Sequence, residues 1–200
     1  EQDGSVLDFI QLQVNYADME QPNVQSRRCL EVAAEFNKPV IVMEPLKGGA
    51  LAHIPAEAET ILRTQDPTAT PASWAFRFAA AQPGVRLVLS GMGTLEQVQE
   101  NMALFEKLRP LNEQELQAIQ QIGDIIHEKT AFACTGCEYC MPDCPKSIVI
   151  PLYFSLYNSA QQFPGGFASQ NAYYYNLAES HGKASDCIEC GLCESVCPQH

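Results

Sequence analysis

Basic residues are scarce in this sequence. Lys and Arg number 12 against 24 Asp and Glu, a formal net charge of −12. That balance excludes a nucleic-acid backbone or an anionic membrane surface as the main partner, because either would repel an acidic chain. No apolar run approaches the ~18 residues that a membrane-crossing helix needs, so no membrane span is expected. The opening Glu1-Gln2-Asp3-Gly4 has neither a basic segment nor an apolar one behind it, so no signal peptide is expected there. Tryptophan occurs once, at Trp74, and cysteine occurs only once before residue 134, at Cys29. Hydrophobic residues are not lacking. They make up 46% of 200 residues, which is enough to bury a core and excludes general disorder.

The other eight cysteines crowd the end of the chain. Cys134, Cys137, Cys140 and Cys144 form C-x2-C-x2-C-x3-C, followed by Pro145. Cys187, Cys190, Cys193 and Cys197 repeat the pattern, followed by Pro198. This spacing is the bacterial-type [4Fe–4S] run, present twice. Cysteines three apart put several thiolates on one turning backbone, whose N–H groups can then point at sulfur. Structural zinc with four cysteine ligands is the main competing reading, and disulfides are a second. Zinc normally draws its ligands from two separated pairs, whereas each run here holds four closely spaced cysteines and a trailing Pro. Cys29, in an amphipathic helical pattern, is expected to be a buried small apolar residue. Tyr173-Tyr174-Tyr175 and the apolar stretch Ile148 to Tyr157 lie between the runs and are expected to cover the metal region.

Residues 1–110 carry 9 basic and 14 acidic residues, and residues 111–200 carry 3 and 10. The cysteine-rich end is the more acidic, which suits a basic or neutral redox partner. Over the first part, strand and helix patterns alternate. Val6 to Asn15 is an apolar run with Gln11 and Gln13 at period two, which puts both on one face. The pattern then predicts a helix over 24–37, a buried strand over 39–43, a loop at Pro45-Leu46-Lys47-Gly48-Gly49 and a short helix over 57–64. A helix over 71–82, a strand over 85–89, and a helix N-capped by Thr94 and running to about Leu108 follow. Helices between short buried strands imply a parallel sheet. Asn112 with Glu115 offers a capping box for a helix to about Lys129, the natural bridge to the cysteine region. Three strand–helix units leave sheet edges with unpaired N–H and C=O groups, so further strands are expected before Glu1.

Taken in order, three segments beyond the cysteines resemble the C-terminal part of an aldo/keto reductase. They are Asp8 to Tyr16, Pro39 to Gly49, and Leu89 to Gly93 running into Glu100-Asn101. They look like barrel strands six, seven and eight with their C-terminal loops, and the cysteine region resembles a two-cluster ferredoxin. The fold this implies is α/β: a partial (β/α)8 TIM barrel (its last three strand–helix units) followed by an α-rich two-[4Fe–4S] ferredoxin-like domain. The expected domains are 1–110 for the barrel part and 111–200 for the bridging helix and cluster domain. A complete barrel typically needs about 250 residues, so this chain cannot hold one.

The resemblance also implies site residues. In two-cluster ferredoxins the fourth cysteine of one run ligates the other cluster. Carried over, Cys134, Cys137, Cys140 and Cys197 hold one [4Fe–4S] cluster, and Cys187, Cys190, Cys193 and Cys144 hold the second. Gln11 matches the family glutamine that hydrogen-bonds the nicotinamide carboxamide. Pro45, Leu46, Lys47, Gly48 and Gly49 match the segment that wraps the cofactor pyrophosphate. Gly91, Met92, Glu100 and Asn101 match the region that holds the adenosine end. Met43 stands where the family usually has a Tyr under the nicotinamide, and Gln97 where many members have an Arg for the 2′-phosphate. The family's catalytic Tyr, Lys, Asp and His lie on earlier strands, so no catalytic residue is assigned here and this stretch alone is expected to be inactive. His53, His127 and His181 are expected on the surface, and His200 is the last residue.

The implied function is an iron–sulfur oxidoreductase of the aldo/keto reductase type. Two [4Fe–4S] clusters would couple electron transfer to a carbonyl or alcohol redox reaction in the barrel, with NADP(H) or NAD(H). The implied partners are a redox protein and a small carbonyl or alcohol substrate, with no nucleic acid and no membrane. The alternative is a non-enzymatic ferredoxin-like electron carrier on a vestigial barrel scaffold, and a third reading keeps the clusters purely structural. Thiolate-held clusters need reduced cysteines, so a cytoplasmic setting is expected.

Overall fold

The computed structural model describes residues 7–21, 24–163 and 167–199. Val6, in the first expected strand, and His200 lie outside the described residues. The chain divides into two compact units, Glu1–Ile125 and Ile126–His200.

In the first unit, β1 (Ile10–Gln13), β2 (Val40–Met43) and β3 (Val85–Val88) form a parallel sheet in the order β1-β2-β3. Ile10 stands opposite Val40 and Gln13 opposite Met43. The β2–β3 register slips between Val40 and Ile41, which brings Ile41 level with Leu87. The pleat sorts the side chains. Ile10, Leu12, Val14, Val40 and Val42 turn to one side and build a core with Leu30, Ala33 and Ala79 from the helices. Gln11, Gln13, Ile41 and Met43 turn to the other. On that side Phe9 is 54% and Leu87 46% exposed. A parallel sheet covered by helices on one side, with mixed polar and apolar residues on the other, is the arrangement of a barrel segment. The three strand–helix units of a partial (β/α)8 barrel expected from the sequence are therefore present.

The helices start and stop where local chemistry directs. α1 (Ser26–Glu35) buries Ser26, Leu30 and Ala33, positions that fall on one helical face. α2 spans Ala56–Gln65. α3 (Pro71–Ala80) opens on Thr70, whose hydroxyl accepts the Ser73 N–H, with Pro71 in the first turn where its missing N–H costs nothing. After α3 the chain turns through Gly84 at φ 78°, a left-handed conformation that glycine adopts without strain. α4 (Leu95–Glu106) carries a full capping box between Thr94 and Gln97. α5 (Glu113–Glu128) opens on the expected Asn112–Glu115 box: Glu115 N–H donates to Asn112 Oδ1 and Asn112 N–H to Glu115 Oε2, both at 2.9 Å.

The second unit is helical. α6 (Ile150–Gln162) and α7 (Phe167–Ser180) pack on each other, with Tyr153 and Tyr174 rings 5.1 Å apart. A short 3-10 turn at Ala184–Asp186 and α8 (Leu192–Ser195) follow. Ile148, Val149 and Tyr153 form its small core, with Cys144, Tyr174 and Leu177 against them. A parallel bridge joins Ile148 to Gly182. There the backbones approach so closely that a Cβ on Gly182 would lie 1.9 Å from the Lys146 carbonyl oxygen. Two expectations need correction. Tyr173 and Tyr175 are 60% and 68% exposed, because the helix turns them outward; Tyr174 packs on Tyr153 of α6, with the Tyr175 ring edge-on against it. Cys29 is half-buried, since α1 presents Ser26, Leu30 and Ala33 to the core instead.

Candidate functional site

Both cysteine runs bend the backbone in the same way. In the first, Gly136 (φ 69°) and Glu138 (φ 64°) are left-handed. In the second, Glu189 (φ 56°) and Gly191 (φ 74°) are left-handed. These are the second and fourth residues after the leading cysteine of each run, so the two runs repeat one turn with the glycine exchanged between positions. Left-handed turns fold the chain around its own thiols and point N–H groups inward. Glu189 N–H donates to Cys187 Sγ at 3.4 Å, and Ile148 N–H to Cys144 Sγ at 3.5 Å.

Two cavities result. One, of about 420 Å³, is lined by Cys134, Cys137, Cys140, Cys193 and Cys197. The other, of about 450 Å³, is lined by Cys144, Cys187, Cys190 and Cys193. Each cavity therefore takes three cysteines from one run and at least one from the other. Cys193 reaches both, together with Ile150 and Phe154 of α6. Burial pushes the Cys140 thiol above its ordinary pKa, and the nearby Cys134, Cys137 and Cys193 thiols add to the rise. Among the described residues no three Cys, His, Asp or Glu side chains converge on one ion-sized point.

The expected cofactor residues lie on β1 and β2, in the segments that follow β2 and β3, and in α4. Gln11 Nε2 lies 3.0 Å from Met43 Sδ. The segment Pro45 to Gly49 winds through left-handed backbone at Lys47, Gly48 and Gly49, with turn hydrogen bonds from Lys47 N to Glu44 O and Gly49 N to Leu46 O. Gly91 and Met92 are exposed in the loop after β3. Asn101 donates to Ser90 Oγ at 3.1 Å, and Glu100 accepts from Thr70 Oγ1.

Residues 2–124 match the model of the aldo/keto reductase family. The chain belongs to the aldo/keto reductase family. Residues 133–200, behind the reductase part, match the model of a 4Fe-4S dicluster domain. Among solved structures, the aldo-keto reductase AKR11C1 from Bacillus halodurans is similar in its apo form, at 23% identity and a TM-score of 0.46. Its holo form is similar at the same identity and a TM-score of 0.47. The match covers 60% of this chain and 44% of the Bacillus chain, so the chain spans less than half the length of that relative. No curated protein matches.

In this reductase-family chain the strand-end residues are engaged with one another. Asp18, buried, accepts from Gln13 Nε2 at 2.8 Å and from Asn15 Nδ2 at 2.9 Å, and pairs with Lys47 Nζ at 2.5 Å. Asn15, fully buried, also donates to the Glu44 carbonyl and so ties β1 to the loop after β2. Gln97, standing where many family members carry an Arg, spends its side chain as an acceptor for the Gly93 and Thr94 N–H groups. The Tyr16 hydroxyl is buried without a hydrogen-bond partner, and burial raises its pKa well above that of an ordinary phenol. His53 and His181 are exposed and His127 half-buried.

Sequence reasoning missed the Asp18 network, since nothing in residue spacing marks which carboxylate will meet Lys47. The closest signal was the polar cluster Gln11, Gln13 and Asn15 inside an apolar run. It also missed Arg77, buried in α3, which meets Glu115 of α5.

Proposed function

We propose that the protein is an aldo/keto reductase-type oxidoreductase whose two [4Fe–4S] clusters exchange electrons with a redox site at the strand ends of the barrel. The observation that carries this reading is the pair of thiol-lined cavities, each drawing cysteines from both runs. The donor set fits the group: four or more thiols per cavity and N–H donors to sulfur. Zinc needs its donors at about 2.3 Å from one centre, whereas a cluster spreads its thiolates over separate irons. In this reading Cys134, Cys137, Cys140 and Cys197 hold one cluster, and Cys187, Cys190, Cys193 and Cys144 the other. Bound clusters supply one-electron transfer, and a nicotinamide supplies hydride.

The protein's own residues do the holding. Gln11 and Met43 line the strand ends where the nicotinamide of NAD(H) or NADP(H) would lie. Pro45, Leu46, Lys47, Gly48 and Gly49 offer a loop whose backbone approaches a pyrophosphate, and Gly91, Met92, Glu100 and Asn101 border the adenosine end. Residues 1–110 act as the barrel part and 111–200, from α5 onward, as the cluster-bearing part. The substrate class is a small carbonyl or alcohol, the electron partner a protein with a neutral or basic face, and the setting a reducing, cytoplasmic one. Iron and acid-labile sulfide analysis of the anaerobically reconstituted protein tests the cluster reading, and zinc without sulfide would sink it. NADPH and NADH titrations, followed by carbonyl-dependent oxidation, test the reductase half.

The second reading, an electron carrier on a barrel scaffold, is favoured by one set of contacts. Lys47 is neutralised by Asp18, Gln11 engages Met43, and Gln97 caps its own helix. Cluster-loaded protein that transfers electrons yet binds neither nucleotide would establish that reading.

A further inference from the structure

The side chains of α6 reach the chain ahead of both cysteine runs. On one side, Asn158 Oδ1 accepts from the Ala131 and Phe132 N–H groups at 3.0 and 2.9 Å. Its Nδ2 donates back to the Phe132 carbonyl at 2.8 Å. One carboxamide thus satisfies both backbone groups of Phe132, as a neighbouring strand would. Gln162 Nε2 adds a bond to Thr130 Oγ1 at 2.8 Å, and the Phe132 ring stacks on Phe154 at 4.2 Å. Cys134 follows two residues later. On the other side, the Tyr153 hydroxyl donates to the Gly182 carbonyl at 3.0 Å, ahead of Cys187.

We infer that Asn158 is a positioning residue for the first cysteine run, holding the backbone before Cys134 in the place from which the thiols of its cavity converge. The inference rests on the iron–sulfur reading. The physical ground is that nothing regular holds residues 130–132: they belong to no helix or strand. The Thr130 N–H still bonds back to the His127 carbonyl, but the Ala131 N–H and both backbone groups of Phe132 are satisfied by the Asn158 side chain, which accepts through its oxygen and donates through its nitrogen. Without it, fixing those residues would be opposed by their conformational entropy. Tyr153 holds the approach to the other run from the same helix and serves as the internal control.

The test uses the full-length, anaerobically reconstituted protein. Its readouts are iron, acid-labile sulfide, and the electron paramagnetic resonance spectrum and reduction potential of each cluster. Cys137→Ala and Cys190→Ala assign the signals. Asn158→Leu is expected to lose or shift the signal that Cys137→Ala removes, with the other signal unchanged and iron falling toward half. Asn158→Asp keeps the acceptor for the Ala131 and Phe132 N–H groups but sets a carboxylate oxygen against the Phe132 carbonyl, and is expected to recover only part of that signal. Tyr153→Phe is expected to leave it unmoved. Wild-type spectra and potentials for both clusters in Asn158→Leu would overturn the inference. So would equal loss of both clusters. Amide exchange at Phe132 should accelerate in Asn158→Leu whatever metal is bound. Faster exchange in a protein holding zinc without sulfide would therefore condemn the cluster reading and leave the contact standing.

Discussion

Glu115 is a buried carboxylate of the first unit, held by two arginines and a backbone N–H. It is 4% exposed and accepts from Arg77 at 2.8 Å, from Arg109 at 2.6 and 3.1 Å, and from the Asn112 N–H at 2.9 Å. Arg77 is 5% exposed, and its guanidinium also donates to the carbonyl groups of Arg109 and Pro110. Glu115→Gln keeps the shape and removes the charge. It leaves Arg77 as a buried cation with no anion, which costs about 3–5 kcal/mol. The partly solvated Arg109 contributes much less. The double variant Arg77→Met with Glu115→Leu removes both charges and is expected to fall within about 1 kcal/mol of wild type, because desolvation of the pair offsets its attraction. The assay is chemical denaturation followed by fluorescence of Trp74. That residue is the sole tryptophan, fully buried, with the Arg77 guanidinium 4.9 Å from its ring centre. Burial pushes the Glu115 carboxyl pKa up. Hydrogen bonds from Arg77, the Asn112 N–H and Arg109 outweigh that effect and hold it below the ordinary value. A depressed carboxylate contributes stability that is full above the unfolded pKa of about 4.3 and is lost as pH falls through the folded value. Glu115→Gln should therefore flatten the acid limb of the stability curve. A Glu115→Gln protein within 1 kcal/mol of wild type at neutral pH, with an unchanged acid limb, would refute the reasoning.

The other predictions follow from backbone geometry. Gly182→Ala drives a methyl into the Lys146 carbonyl and is expected to cost about 3 kcal/mol or more, with loss of the Ile148–Gly182 bridge, read as a lowered melting temperature. Glu189→Gly should be about 1 kcal/mol more stable than Glu189→Ala in thermal melts, because only glycine holds φ 56° without a Cβ penalty. Thr94→Ala removes the side-chain acceptor of the α4 capping box and is expected to cost about 1 kcal/mol, with faster amide exchange at Gln97.

How much was legible beforehand follows the range of the interaction. The strand at 40–43, the Thr94–Gln97 and Asn112–Glu115 boxes, and both cysteine runs are written in spacings of two to four residues. Those are the periods of the pleat, the first helical turn and a ligand loop. The Glu138 and Glu189 turns were not legible, because a non-glycine residue in the left-handed region carries no local signature. Nor was the outward rotation of Tyr173 and Tyr175, which depends on the face that α7 turns to α6. The strand-end residues fell between these cases. Their motifs marked the loops, but not that Lys47 would be spent on Asp18.

By itself, then, the sequence determined the chemistry on offer: eight thiols in two repeated runs, an acidic surface, and alternating strands and helices with their caps. Tertiary structure decided the partnerships. It brought cysteines of both runs into each cavity and let Cys193 reach the two. It joined Arg77 to Glu115 across 38 residues, Lys47 to Asp18 across 29 and Asn158 to Phe132 across 26. The physical reason is common to all of these. Periodic burial leaves a regular trace along a chain, whereas a buried polar group takes whichever partner the packed fold places within hydrogen-bond reach.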